Sequence, residues 1–328
     1  MNKPCGFALA IVAFLMLAPN TMAQAQLNDR LKNALKRYPD ADLNNDGVLS
    51  VDEARAYRYK MKGKKTPATP ANESIDTASY DQPADLKEGA RCLFLGHSFF
   101  IPVAKRFDEM ATEIGLSHHH ASFVLKGNAG GAPGRIWSSS AHRSAATKIL
   151  ETGNIHLLGM TYFDESNCKV EDYERWIDLA IQHNPKVHIF IGLCWPDAPE
   201  ASVDDFSRII RGSNERLFKT VKTLRGQYPE TKIQFVNYGL VARELKDCHA
   251  SGRLSEIGSL VSRDSGSLFR DTKGHAGPLL LDLAALTWLD QLYEVDAADV
   301  KTDVVRSDAA RAILPVVAKF NEQFRYAQ

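Results

Sequence analysis

The chain has no surplus of charge: 40 Lys and Arg stand against 40 Asp and Glu, for a formal net charge of zero. No basic run or low-complexity tract points to a polyanion partner either. A nucleic-acid partner is therefore not expected, because affinity for a polyanion is carried by neutralised phosphates. Cysteine is scarce, five in 328 residues, with no C-x-x-C pair and no Cys/His cluster, so nothing suggests zinc. Cys92 and Cys194 sit in apolar runs and read as buried thiols, whereas Cys168 and Cys248 sit in polar contexts and are candidates to pair. "HHH" at 118–120 looks like a metal lure. Consecutive residues of an extended segment point to opposite faces, so these read as surface histidines. After the first 18 residues no segment is long and apolar enough to span a bilayer, which takes about 20 residues.

What is present is ordinary globular composition, 44% hydrophobic and 24% charged, enough for one large core plus something small. At the start, Lys3 precedes an apolar run over residues 7–18, followed by Pro19-Asn20 and an A-x-A-like Thr21-Met22-Ala23. This pattern predicts a cleavable signal over 1–23, a secreted or periplasmic protein, and no membrane association after cleavage. An uncleaved anchor is the alternative, for which the run is short. Cys5 lies ahead of the apolar core, too early for a lipid-attachment cysteine.

The sharpest local pattern is "DLNNDGVLSVDE", residues 42–53. Asp42, Asn44 and Asp46 offer oxygens from alternate positions, Gly47 takes a sharp turn, and Val48 gives a carbonyl. Ser50 ligates directly or through water, and Glu53 closes the site with both oxygens. Helical spacing flanks the loop on both sides, and Leu49 is its apolar residue. The segment resembles an EF-hand, which implies calcium as a cofactor held by those six residues in a small helical module over 24–62. No second loop is found. A structural role therefore fits better than switching. A turn that merely favours Asn, Asp and Gly is the plainer reading. Residues 63–89, rich in Pro, Thr, Ala, Ser and Asp, have linker composition.

From residue 90 to 328 the chain alternates. Apolar runs stand at 92–95, 121–125, 155–160, 187–193 and 233–237, separated by amphipathic stretches such as Val103, Phe107, Met110 and Ile114. Short apolar strands separated by helices predict an α/β fold: a doubly wound, five-stranded parallel sheet covered on both faces. Functional groups of such sheets gather at the carboxyl ends of strands, where Ser98 falls.

"LFLGHSFF", with Gly96, His97 and Ser98, resembles the first block of the SGNH (GDSL-like) hydrolases, and the resemblance extends over about 90–295. It implies the SGNH/flavodoxin-like fold. In "VLKGNAGGAPGRIW" Gly130 or Gly131 matches the second block, with Gly127 the weaker match. In "LLGMTYFD" Thr161 stands where the third block has asparagine, so that block departs from the pattern. In "FRDTKGHAGP" Asp271 and His275 match the last block with one extra residue between them. The resemblance implies Ser98 as nucleophile, His275 as base and Asp271 as its orienter. It also implies an oxyanion hole from Ser98, Gly130 or Gly131, and the residue at 161.

Chemistry leads to the same catalytic assignment. A serine hydroxyl is a weak nucleophile until a base takes its proton, and a carboxylate orients that base. Asp264 competes with Asp271 as orienter. Loss of one oxyanion donor typically costs about 2.7–4 kcal/mol. A threonine hydroxyl reaches less far than the amide, and Asn128 offers an amide from the second loop. His97 reads chiefly as a shaper of the nucleophile loop. Trp195, in "GLCWPDAP", is either a sugar platform for substrate binding or a packed loop residue, and Asp164 and Asp197 lie on the same rim.

Export, a neutral surface and a candidate aromatic platform at Trp195 favour a carbohydrate ester over a lipid, and no large apolar lid segment suits a lipase. By analogy with the family, the resemblance implies a serine esterase removing acyl groups from a small-molecule or carbohydrate ester, with no cofactor for catalysis. Two other readings stay open: a degenerate SGNH fold that binds a glycan or partner without hydrolysis, and a calcium-stiffened structural or adhesive protein.

Overall fold

The computed structural model describes residues 86–325 apart from 165, 255–256 and 301–306, together with residues 32, 35, 36, 38–41, 49 and 57. The expected signal and the six calcium-ligand positions Asp42, Asn44, Asp46, Val48, Ser50 and Glu53 lie outside the described residues. The chain divides into two units, Met1–Thr77 and Ala78–Gln328, and the division falls within the stretch of linker composition.

In the first unit a 3₁₀ turn at Pro39–Ala41 precedes a small apolar cluster. Ala41 and Leu49 are buried there against Leu35, Tyr38 and Tyr57, with the two tyrosine rings 5.9 Å apart. Leu49 is thus buried in this cluster.

The second unit is built on strands β1 (Arg91–Gly96), β2 (His120–Leu125), β3 (Leu157–Thr161), β4 (His188–Leu193) and β5 (Ile233–Asn237). They form one sheet in the order β2-β1-β3-β4-β5, and every pairing is parallel. The helices are α1 (Ile101–Glu113), α2 (Pro133–Trp137), α3 (Ser140–Leu150), α4 (Val170–His183), α5 (Val203–Gln227), α6 (Gly239–Ala250), α7 (Pro278–Tyr293) and α8 (Asp308–Arg325). A short parallel ribbon, β6 (Ser259–Val261) with β7 (Ser267–Phe269), stands apart from the main sheet.

Strand alternation sends successive side chains to opposite faces, and two cores result. Cys92, Phe94, Phe190 and Val236 pack under α1, α6, α7 and α8. Leu93, Leu95, Leu158, Met160, Ile189 and Phe235 pack under α2, α3, α4 and the later part of α5. On the first face Trp288 of α7 is the hub, with ring centroids 4.9 Å from Phe100 and 4.8 Å from Phe190. Gly159 makes room for these rings, because a Cβ there would overlap Phe94 and press on Phe190.

Three sequence expectations change. Cys168 and Cys248 do not pair: both are free and buried, in the cores of opposite sheet faces. His119 is not a surface residue. Its side chain is 1% exposed and bridges the Tyr293 hydroxyl (2.7 Å) and Asp108 (3.0 Å). Leu86, assigned to the linker, is buried in the first-face core, so the folded unit starts before residue 90. Among the described residues no helix is long and apolar enough to cross a membrane.

Candidate active site

Ser98 stands two residues past the end of β1 at Gly96. The order of the sheet reverses direction between β1 and β3, so a crevice opens at the carboxyl ends of those two strands. Ser98 stands in that crevice. The chain turns sharply there, with the His97 carbonyl accepting from the N–H of Phe100 (3.1 Å) and of Ile101 (2.9 Å), and α1 starts at once with Pro102 in its first turn.

The partner residues arrive from the far end of the chain. After β7 a tight loop returns on itself. Arg270 N–H donates to the His275 carbonyl (2.7 Å) and Gly277 N–H to the Leu268 carbonyl (2.8 Å). Gly274, between Asp271 and His275, takes φ +86°, a left-handed turn that glycine accepts without strain. Asp271 Oδ1 accepts from the backbone N–H of Lys273 (3.0 Å) and of His275 (3.2 Å). Its Oδ2 lies 2.7 Å from His275 Nδ1, and His275 Nε2 lies 2.9 Å from Ser98 Oγ. A carboxylate only accepts, so Nδ1 carries a proton, and in the neutral ring Nε2 is then the acceptor to which the serine hydroxyl donates. Burial works to raise the Asp271 pKa. The hydrogen bonds from the His275 side chain and backbone outweigh it and hold the carboxyl below its ordinary range. Asp264 is turned away, accepting from Ser262 Oγ at 2.8 Å.

The residues proposed for an oxyanion hole are placed less uniformly. Neither Gly130 nor Gly131 borders the cleft. The Gly130 N–H is taken by the Gly127 carbonyl (3.1 Å). Gly131 is a close-approach position, since a Cβ there would stand 2.6 Å from the backbone nitrogen of His97. The second loop instead presents Asn128 and Ala129 to the cleft, with Asn128 held at φ +52°, a conformation that few residues besides glycine and asparagine accept. Thr161 is fully buried and does not border the cleft; its Oγ1 lies 3.2 Å from His97 Nε2. Trp195 is 1% exposed. Its Nε1–H donates to the Gly274 carbonyl (2.7 Å), and Phe99 stacks on its ring at 5.7 Å. It borders the cleft but offers little surface to a sugar there, and it ties the end of β4 to the His275 loop.

The cleft has a volume of about 390 Å³. Its polar wall includes Asn128, Asp164, Asn167, Asp197 and Lys273, and its apolar wall includes Phe163 and Ile209. A hydrogen bond from Ser166 (2.6 Å) is the main cause that holds Asp164 below the ordinary carboxylate range. Asn167, Lys273 and Phe163 carried no sequence signal, because nothing in a loop's composition says which side faces a cleft. Among the described residues no group of His, Cys, Asp or Glu is arranged to hold a metal ion. Compared with known proteins, the chain matches no family model and none of the curated proteins.

Proposed function

We propose that the second unit is a serine ester hydrolase of SGNH type acting on a carbohydrate or small-molecule ester, in an exported protein whose first unit binds calcium. The observation that carries this reading is the unbroken chain from Ser98 through His275 to Asp271 at the rim of a cleft.

In the proposed reaction His275 Nε2 takes the Ser98 hydroxyl proton as Oγ attacks the ester carbonyl. Asp271, already ionised and held by two backbone N–H groups, stabilises the imidazolium that forms. The oxyanion is met by the Ser98 N–H and by the Asn128–Ala129 turn in place of Gly130. Collapse expels the alcohol, which leaves with the proton from His275. Water then attacks the acyl-serine, giving its proton to His275, and the acid departs as Ser98 is restored. The polar wall of Asp164, Asn167 and Asp197 suits a hydroxyl-rich alcohol, and the small cleft suits a short acyl group.

The test compares the parent protein with Ser98→Ala, using p-nitrophenyl acetate and a fluorophosphonate probe. The parent should hydrolyse the ester and take up one probe at Ser98, and the variant should do neither, with a loss of about 10⁴-fold or more. Equal rates would remove the hydrolase reading. One observation favours a binding module instead: Thr161 turns its hydroxyl to His97 and away from the cleft, leaving the third block without a donor there. A folded parent that holds sugar esters without cleaving them would establish that reading.

For calcium, the donor set of residues 42–53 supplies five side-chain oxygens from four acidic or amide residues, two of them from Glu53, with one serine hydroxyl and one carbonyl, and the buried Leu49 is consistent with a closed loop. Bound calcium would offset the mutual repulsion of Asp42, Asp46 and Glu53.

A further inference from the structure

Both neighbours of the nucleophile are tied to one buried ring. Phe99 N–H donates to His97 Nδ1 at 3.0 Å, closing a turn around Ser98 from residue 97 to residue 99. The other ring nitrogen, Nε2, lies 3.2 Å from Thr161 Oγ1 at the end of β3 and 3.7 Å from Cys194 Sγ just past β4. A backbone N–H can only donate, so Nδ1 is unprotonated and the ring is the Nε2–H tautomer, donating to Thr161. The ring is 7% exposed, and Phe163 and Phe99 meet it edge-on with centroids 5.0 and 5.6 Å away. It therefore has one orientation and one tautomer.

We propose that His97 is a positioning residue: as the neutral Nε2–H tautomer anchored on Thr161, it clamps the peptide units on either side of Ser98 and so aims Oγ at His275. This rests on the hydrolase reading. Thr161 thereby has a role different from the oxyanion donor implied by its place in the third block, since its hydroxyl accepts from Nε2–H and anchors the clamp. Ser98 is the residue whose φ and ψ the clamp determines. Misplacing a reacting atom by about 1 Å can cost about 100-fold.

Asparagine and glutamine separate the two ends of the ring, because an asparagine oxygen takes the place of Nδ1 and a glutamine amide that of Nε2. His97→Asn keeps the acceptor for Phe99 N–H, and His97→Gln loses it. The expected outcome is that His97→Asn stays within about tenfold of the parent in kcat, whereas His97→Gln falls about 100-fold with KM little changed. Fluorophosphonate labelling of Ser98 should slow in the same order. Thr161→Ser should keep parental kcat and Thr161→Val should not. Nitrogen NMR of the parent, which needs no variant to fold, should show an unprotonated Nδ1 on His97. A protonated Nδ1, or equal kcat for the Asn and Gln variants in a parent that is labelled at Ser98, would overturn the clamp alone. A parent with neither labelling nor Ser98-dependent hydrolysis would remove the hydrolase reading, and the proposal with it.

Discussion

His97 also has a consequence for stability. Burial, with a smaller contribution from nearby His275, pushes its pKa down from an ordinary 6.5 to about 4. Between those two values the unfolded chain binds a proton that the folded chain refuses, so stability rises with pH across that window. The contribution is complete above pH 6.5 and is lost as pH falls toward 4. Its size is at most a few kcal/mol, at ~1.4 kcal/mol per pH unit between the two values. The carboxyl of Asp271 is depressed instead, so its own contribution disappears at lower pH, below the ordinary carboxylate value. Urea unfolding of the parent at pH 7 and at pH 4.5 should therefore show a fall that is smaller in His97→Asn, where His156, whose pKa burial also lowers, still contributes. An identical fall in both proteins would mean that the imidazole is not the group responsible.

At the scale of elements, the central strands were the most legible part of the chain. The apolar runs at 92–95 and 187–193 fall on the central strands β1 and β4, and that at 233–237 on the buried edge strand β5, within a residue or so, because a strand covered on both faces is mostly apolar. The run at 155–160 begins early: Ile155 and His156 precede β3 and are buried without belonging to it. The ribbon of β6 and β7 gave no signal, since three-residue strands rich in serine have no periodicity to read. Yet that ribbon carries the loop of Asp271 and His275. Trp195 was ambiguous for a related reason. Its partner Gly274 is 79 residues away, and only the assembled fold decides whether a rim tryptophan is open or stacked. The packing of the sheet yields its own test. Gly159 lies in the middle of β3 beneath Phe94 and Phe190, and neither ring is free to retreat, because Trp288 packs on both. Gly159→Ala should cost about 1–3 kcal/mol by overpacking, read as a lower denaturant midpoint with an unchanged slope. A midpoint within error of the parent would show that the aromatic layer can shift to admit a methyl group.

For the whole molecule, the two units have very different means of staying folded. The second has two cores, one on each face of a five-stranded sheet. The described core of the first consists of Ala41 and Leu49 with three partly buried neighbours. A module of about 40 residues rarely buries enough apolar surface to be stable alone and commonly relies on a metal or a cross-link. No cysteine falls within residues 24–62, so a disulfide cannot serve, and the loop of Asp42, Asn44, Asp46, Val48, Ser50 and Glu53 is the remaining candidate. Ligand that binds only the folded form adds about 2.7 kcal/mol at 100 times its dissociation constant. Calorimetry of the full chain should then resolve two transitions, of which calcium raises one and leaves the larger where it was. Glu53→Gln should abolish that response by removing the bidentate closure. Esterase activity should not change with calcium, because no step of the proposed reaction uses the ion. A calcium-insensitive thermogram with the first unit folded would assign residues 42–53 to a plain turn, and a calcium-dependent esterase rate would tie the loop to catalysis in a way the proposed mechanism does not contain.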